Sequence, residues 1–281
     1  MVKKQFIEAL NQSTCESFAF TRKGFDLIMC VGTLPSRHDT KLLENLRAND
    51  SKLVYLFTME DQALVEKSTF FSRYEVGSEE GVFALLAKSF LSGVKLPEVI
   101  SSYFEELDEG YISAESNLGE EEIEEIEALY AEATNVLLVL GDDLVHHSRA
   151  SHIANLAGLI AQYGKAKLLV VGSTPETIVE AKNETVLEEI ADLKSFDGVV
   201  VYQCPTISKD EENFLIGSAQ FQMAAKVQNS DKINVTINQE VYPRTFVRDD
   251  SLKGVIALMP CAKADSSYPY HVVKIVKAEV Q

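Results

Sequence analysis

The sequence predicts an α/β protein with two parallel-sheet lobes and a small C-terminal β-region, and three observations predict it. Asn135 to Val171 holds an apolar run, Val136–Leu140, a turn at Gly141, a segment with helical spacing, a break at Gly164 and a second apolar run, Leu168–Val171. The same order occurs earlier as Phe25–Val31, Gly32 and Leu53–Phe57. Beyond Phe214 the texture changes to short segments separated by polar turns. Apolar runs without alternation are those of strands covered on both faces, as in a parallel sheet, and such runs on either side of a helix make a βαβ unit.

In chain order, Lys3–Leu10 reads as a short amphipathic helix, and Asn11–Lys23 as irregular or a short strand. The first βαβ unit occupies Phe25–Phe57, with a polar helix at Thr40–Ala48. Thr58–Tyr74 reads as irregular cover for the sheet edge. Gly81–Leu91 is a helix with Val82, Leu85, Leu86 and Phe90 on one face; Ser78 is its expected N-cap, and Glu79 and Glu80 suit its positive end. Pro97–Leu107 reads as a helix, Asp108–Asn117 as a loop, and Glu120–Ala133 as an acidic helix whose glutamates form a solvated face. After the central unit, a helix starts near Ser173–Thr177, with Pro175 in its first turn, and runs to about Leu193. Gly198–Gln203 reads as the last strand of the main sheet. Lys232–Asn238, Val241–Val247, Gly254–Met259 and His271–Val276 read as the strands of the terminal β-region. The expected division is an α/β domain over 1–212, its lobes covering about 20–110 and 111–212, followed by a β-domain over 213–281.

Composition narrows the function classes. A net charge of −17 over 281 residues argues against nucleic acid and against anionic lipid. No apolar run approaches the ~20 residues of a membrane span, and the first residues carry no secretory signal pattern. Cys15, Cys30, Cys204 and Cys261 are far apart and form no CxxC pair, which excludes an iron–sulfur loop supplied by these residues. Cys30 and Cys204 lie in apolar runs and read as buried small hydrophobes. A reducing, cytosolic location fits this usage.

Both glycine turns sit where open parallel sheets bind ligands. Neither is a GxGxxG or a GxxxxGK[ST], so no nicotinamide or P-loop assignment follows. The simpler reading of each glycine is a backbone requirement, and of Asp142 and Asp143 a helix cap. His146, His147 and His152 lack the i, i+4 spacing of a zinc helix. Ser148 and Arg149 offer a phosphate or partner contact, with a polar interface as the plainer reading. No GxSxG elbow is present.

The order of the pieces carries a resemblance. DLIMCVGTLPSRHDTKLLENLRANDSKLVYLF is similar to the opening βαβ unit and GTN-type turn of the molybdopterin-oxidoreductase fold. VGSEEGVFALLAKSFL resembles its PGTDGAL-type loop and helix, with Val76, Ser78 and Glu79 departing from the pattern. The acidic helix EEEIEEIEALYAEA, then NVLLVLGDDLVHHSRASHIANLAGLIAQYG, follow in the family's order, and residues 218–260 resemble a shortened version of its C-terminal β-domain. Within that fold, GDDLVHHSRASHIANLAGLIAQYGKAKLLVV looks most like the C-terminal region of the NADH-quinone oxidoreductase (respiratory complex I) component that keeps the molybdopterin fold as scaffold and carries iron–sulfur clusters in its N-terminal region.

The resemblance implies two Rossmann-like lobes of the molybdopterin-oxidoreductase type. It implies a non-catalytic component of the peripheral arm, without cofactor of its own, whose partners are iron–sulfur subunits or domains, cytoplasmic and held at the inner membrane through them. The alternative is part of a split oxidoreductase that binds molybdopterin guanine dinucleotide across Gly32, Thr33, Gly77, Ser78 and Gly141, residues otherwise vestigial. No residue is assignable as the metal ligand, and Leu56-Phe57-Thr58 lacks the acid expected for a guanosine ribose. A third reading is a nucleotide-binding regulatory protein.

Overall fold

The structure, a computed structural model, describes residues 2–13, 24–172, 186–262 and 267–278. It is a mixed α/β protein with a five-stranded parallel sheet and a second, seven-stranded mixed sheet. The first sheet has the order β3-β2-β1-β4-β5, from β1 (Leu27–Val31), β2 (Lys52–Phe57), β3 (Phe70–Arg73), β4 (Val136–Leu140) and β5 (Ala166–Val170). The α/β class therefore stands, and the two βαβ units share one sheet: β1 and β4, one from each unit, pair side by side in register Leu27 to Val136 through Val31 to Leu140. That one pairing removes two open apolar edges.

Alternation along the strands sends side chains to two cores. Leu27, Met29, Val31, Val54, Leu56, Leu138 and Leu140 face helices α1 (Val2–Ser13), α5 (Glu79–Phe90), α8 (Glu120–Glu132) and α10 (Ala150–Tyr163). Ile28, Cys30, Tyr55, Phe57, Leu137 and Val139 face α3 (Thr40–Ala48) and the second sheet. β1 and β4 are fully buried on both faces, as their unbroken apolar runs require.

Several elements differ from the sequence reading. The stretch expected as irregular cover holds α4 (Gln62–Val65) and β3, an edge strand of four residues too short to show a period. The expected loop at 108–117 is helix α7 (Glu109–Ser116), started by the Asp108 carboxylate accepting from Tyr111 N and stopped by Asn117 in the left-handed region. Between α5 and α7 lies α6 (Glu98–Glu105). The long helix after β4 is broken into α9 (Asp142–His146) and α10 by an extended His147. The helix expected to end near Leu193 falls partly outside the described residues; from Val186 to Asp197 the chain has no regular structure. The rest of the 11–23 segment beyond Ser13, with Cys15, also lies outside them.

The second sheet has the order β11-β6-β10-β7-β9-β8-β12. Its strands are β6 (Val200–Pro205), β7 (Phe214–Gly217), β8 (Lys232–Ile237), β9 (Glu240–Arg248), β10 (Ile256–Cys261), β11 (Tyr270–Val272) and β12 (Lys274–Lys277). The strand expected to close the main sheet, β6, belongs here, between β11 and β10. Its apolar run misled because it too is covered on both faces. Val200, Tyr202 and Cys204 point into the core shared with the first sheet, while Val201 points into a separate core with Leu215, Phe221, Val235 and Phe246. Helix α11 (Ala219–Ala225) supplies Phe221 to that core. Cys30 and Cys204 are buried, as expected. Among the described residues no helix is long and apolar enough to cross a membrane.

Candidate functional site

Strand order reverses between β1 and β4, so the crevice outside their carboxyl ends is the position at which open parallel sheets bind ligands. The turns after the two strands meet there. Gly32 has φ +73°, and a Cβ on Gly141 would lie 2.0 Å from the Gly32 carbonyl oxygen, so the turns touch backbone to backbone. Asp143 N donates to Gly32 O at 3.1 Å and closes the contact.

Asp142 and Asp143, expected as cap residues, occupy the first turn of α9 and have opposite fates. Asp143 is completely buried. Its Oδ1 accepts the Tyr202 hydroxyl at 3.0 Å and its Oδ2 the Tyr270 hydroxyl at 2.9 Å, both from the second sheet. Tyr270 also bonds Thr58 Oγ1 at 2.7 Å, beyond the end of β2, and Tyr202 bonds His38 Nε2 at 3.0 Å. His38 in turn faces Asp142, Nδ1 to Oδ2 3.6 Å, and Asp142 is one-third exposed beside Lys3. A polar row thus runs from the surface at Asp142 through His38, Tyr202, Asp143 and Tyr270 to Thr58.

A second buried acid lies alongside. Glu79 opens α5 and is fully buried. Its Oε1 accepts the Tyr268 hydroxyl at 2.6 Å, and His147 Nε2 stands 3.5 Å from its Oε2 and 3.2 Å from Gly77 O. Gly77 N donates to the same Tyr268 oxygen at 2.9 Å. Ser78, the expected N-cap, instead donates its hydroxyl to Glu75 O at 2.7 Å and caps nothing. Tyr268 and Tyr270 pack with ring centroids 5.1 Å apart, which joins the two clusters. The five residues singled out in the sequence, Gly32, Thr33, Gly77, Ser78 and Gly141, therefore lie along this closed edge.

Burial controls the electrostatics. It pushes the Glu79 carboxyl up to about 7, against the opposing Tyr268 hydroxyl and the backbone N–H groups of Glu79 and Gly77. It pushes Asp143 up to about 7 as well; His38 and the hydroxyls of Tyr270 and Tyr202 oppose the rise and Glu79 adds to it. Burial alone would raise Asp142, but the His38 hydrogen bond and the charges of Lys3, His38 and His146 hold it low. Burial lowers His147. Chemically, the row can hold a proton on Asp143 and pass it toward solvent through Tyr202 and His38.

A third buried acid staples another segment. Glu80 Oε1 accepts from Arg149 Nε at 2.9 Å and faces His152 Nδ1 at 2.6 Å, while Arg149 reaches Glu188 and the carbonyl of Glu189. Burial works against the Glu80 charge, but these partners hold its carboxyl below the usual range. Arg149 is thus spent inside the fold. His146, His147 and His152 face separate partners, Asp142 O, Gly77 O and Glu80. No group of three or more His, Cys, Asp or Glu among the described residues is arranged to hold a metal ion.

Several backbone N–H groups that a pterin dinucleotide would need at these turns are already bonded within the chain. A pyrophosphate needs free backbone N–H groups at these turns. Here Gly32 N bonds Leu56 O, Gly141 N bonds Val31 O, Asp143 N bonds Gly32 O and Ser78 N bonds Glu75 O, at 2.8–3.2 Å. The helix ends that would receive an anion are already occupied by the buried carboxyl groups of Glu79 and Asp143.

Sequence reasoning missed the tyrosines and His38 and took the acids for surface caps. The local signals were two: each of the Gly77 and Gly141 turns is followed within three residues by a pair of acids, and Tyr268-Pro269-Tyr270 is an aromatic pair in a polar stretch.

The class these features define is a parallel α/β fold whose ligand-binding edge is closed by its own second sheet. No family model matches the chain, and no curated protein matches it. Among solved structures it is similar to acetylene hydratase from Pelobacter acetylenicus, with a TM-score of 0.49 and 11% identity over 57% of this chain. The match takes in 24% of the enzyme, so the chain spans about a quarter of its length.

Proposed function

We propose that the chain is a non-catalytic scaffold on a molybdopterin-oxidoreductase-type fold, serving the peripheral arm of an NADH-quinone oxidoreductase-like complex. Its partners are iron–sulfur subunits or domains, whose spacing it holds for electron transfer, and it reaches the inner membrane only through them. The complex assignment rests on the sequence resemblance. The scaffold assignment rests chiefly on Asp143: the acid at the switch point has both oxygens occupied by tyrosines of the second sheet, and the N–H groups of Gly32, Gly141, Asp143 and Ser78 are bonded internally. These groups are matched to one another rather than to a ligand.

The alternative, a split oxidoreductase holding molybdopterin guanine dinucleotide, draws on one observation. The buried Thr33 hydroxyl and Glu79 Oε2 have no hydrogen-bond partner among the described residues along the same edge. Purified protein, alone and after co-expression with a cluster-bearing partner, separates the readings. The scaffold reading expects no molybdenum, tungsten or fluorescent oxidised pterin, together with stoichiometric co-migration with the partner. Stoichiometric metal or pterin overturns it.

A further inference from the structure

The chain's charge is concentrated in one place. From Glu98 to Glu132 there are thirteen acidic residues and no lysine or arginine, so −13 of the net −17 lies on α6, α7, α8 and their connections. The bland reading is a solvated face that keeps the protein soluble. A cavity set into that face gives it a specific shape. Between α6, α7 and the irregular stretch of chain around Leu187–Asp192 lies a groove of about 940 Å³. That is at the upper end of the ~300–1,000 Å³ of small-molecule pockets.

The groove has an apolar floor and an acidic rim. Val99, Tyr103, Leu107 and Ile190 line it, and Val99 is 74% exposed in the first turn of a helix whose other apolar residues, Ile100 and Phe104, are buried. The Tyr103 hydroxyl is buried there without a hydrogen-bond partner among the described residues. Glu98, Glu106, Glu189 and Asp192 line it too, and none forms an ion pair with a described residue, whereas Glu109 on α7 and Glu132 on α8 do, with Lys88 and Lys52. Among the described residues, four carboxylates thus stand without an ion-pair partner around an apolar strip. The arrangement disfavours nucleic acid, anionic lipid and acidic peptides by repulsion. It complements a helix with an apolar stripe flanked by lysine or arginine, the helix-in-groove mode of recognition.

We propose that this groove docks a basic amphipathic helix of a partner protein, with Val99 as the central apolar contact and the rim acids pairing with its cations. The proposal rests on the reading of the chain as a scaffold and names the chemistry of one partner, but it is tested without the assembled complex.

The probe is a fluorescein-labelled peptide of about 18 residues, ~27 Å as a helix, with leucine at i, i+3, i+4 and i+7 spacing and lysine elsewhere. Its binding to the full chain is followed by anisotropy at near-physiological salt. Val99→Asp and the pair Glu98→Lys/Glu106→Lys should each weaken binding at least about tenfold. The pair Glu44→Lys/Asp50→Lys makes the same charge change at positions on and just beyond α3, on the opposite face of the sheet, and should weaken it by less than about threefold. Circular dichroism checks that each variant is folded. No saturable binding to the unaltered chain, an unaffected Val99→Asp variant, or equal loss in the distant control pair would each overturn the groove. Those failures leave the metal, pterin and co-migration results untouched, so they are separable from failure of the scaffold reading.

Discussion

Asp143→Asn is the substitution that most directly examines the closed edge. The carboxyl sits near 7 in the folded protein against 3.8 for an ordinary aspartate. A raised acid favours the folded state only while it carries its proton. Its contribution is complete below about pH 4, declines as the pH climbs, and is gone once the pH passes about 7. At about 1.4 kcal/mol per pH unit, that span is worth about 4 kcal/mol. Asparagine is nearly the same shape, is neutral throughout and still offers Oδ1 to a tyrosine hydroxyl. Its amide can donate to the other tyrosine, whose own proton can turn to Thr58 or His38. The unaltered protein should therefore lose stability relative to Asp143→Asn by about 4 kcal/mol between pH 4 and pH 8. Urea unfolding at unit intervals across that range measures the difference, which cancels every other titrating group to first order. A constant offset between the two curves would refute the assignment of a buried, proton-bearing Asp143.

Two further substitutions examine the same region. Tyr270→Phe removes the donor to Asp143 Oδ2 and the partner of Thr58, and should cost about 1–3 kcal/mol, more at pH 8 than at pH 5 because the acceptor is then charged; urea melts at the two pH values test it. Gly141→Ala puts a methyl 2.0 Å from the Gly32 carbonyl oxygen, where only backbone can move, and should cost at least about 3 kcal/mol in thermal or urea unfolding. Gly110→Ala, which meets only Asp108 Oδ1 at 3.6 Å within α7, should instead change stability by less than about 1 kcal/mol.

What the sequence made legible follows from what is local. Leu27–Val31 and Val136–Leu140 could be read as buried parallel strands because each is apolar at every position, whatever its neighbours. The partner of each strand is not local, and so the pairing of β1 with β4 was not visible. Val200–Cys204 shows the same limit: an apolar run reports cover on both faces but not which sheet provides it. β3 and α7 were missed because an edge strand of four residues and a helix with only Ile112 and Ser116 buried carry almost no periodic signal. Glu79 and Asp143 look like ordinary helix-end charges until Tyr268 and Tyr270, more than a hundred residues away, are folded onto them. The glycine turns could be placed at the ligand edge, but the bonds that consume their N–H groups belong to the tertiary structure.

The central strand also sets a timetable for biosynthesis. Val31 leaves the ribosome about 105 residues ahead of Val136, the first residue of the neighbour that will cover its flank. At roughly 5–20 residues per second, Leu-Ile-Met-Cys-Val waits some 5–20 s as a bare, sticky margin on a half-made sheet. Until β4 emerges, that flank of β1 is an unpaired sheet edge.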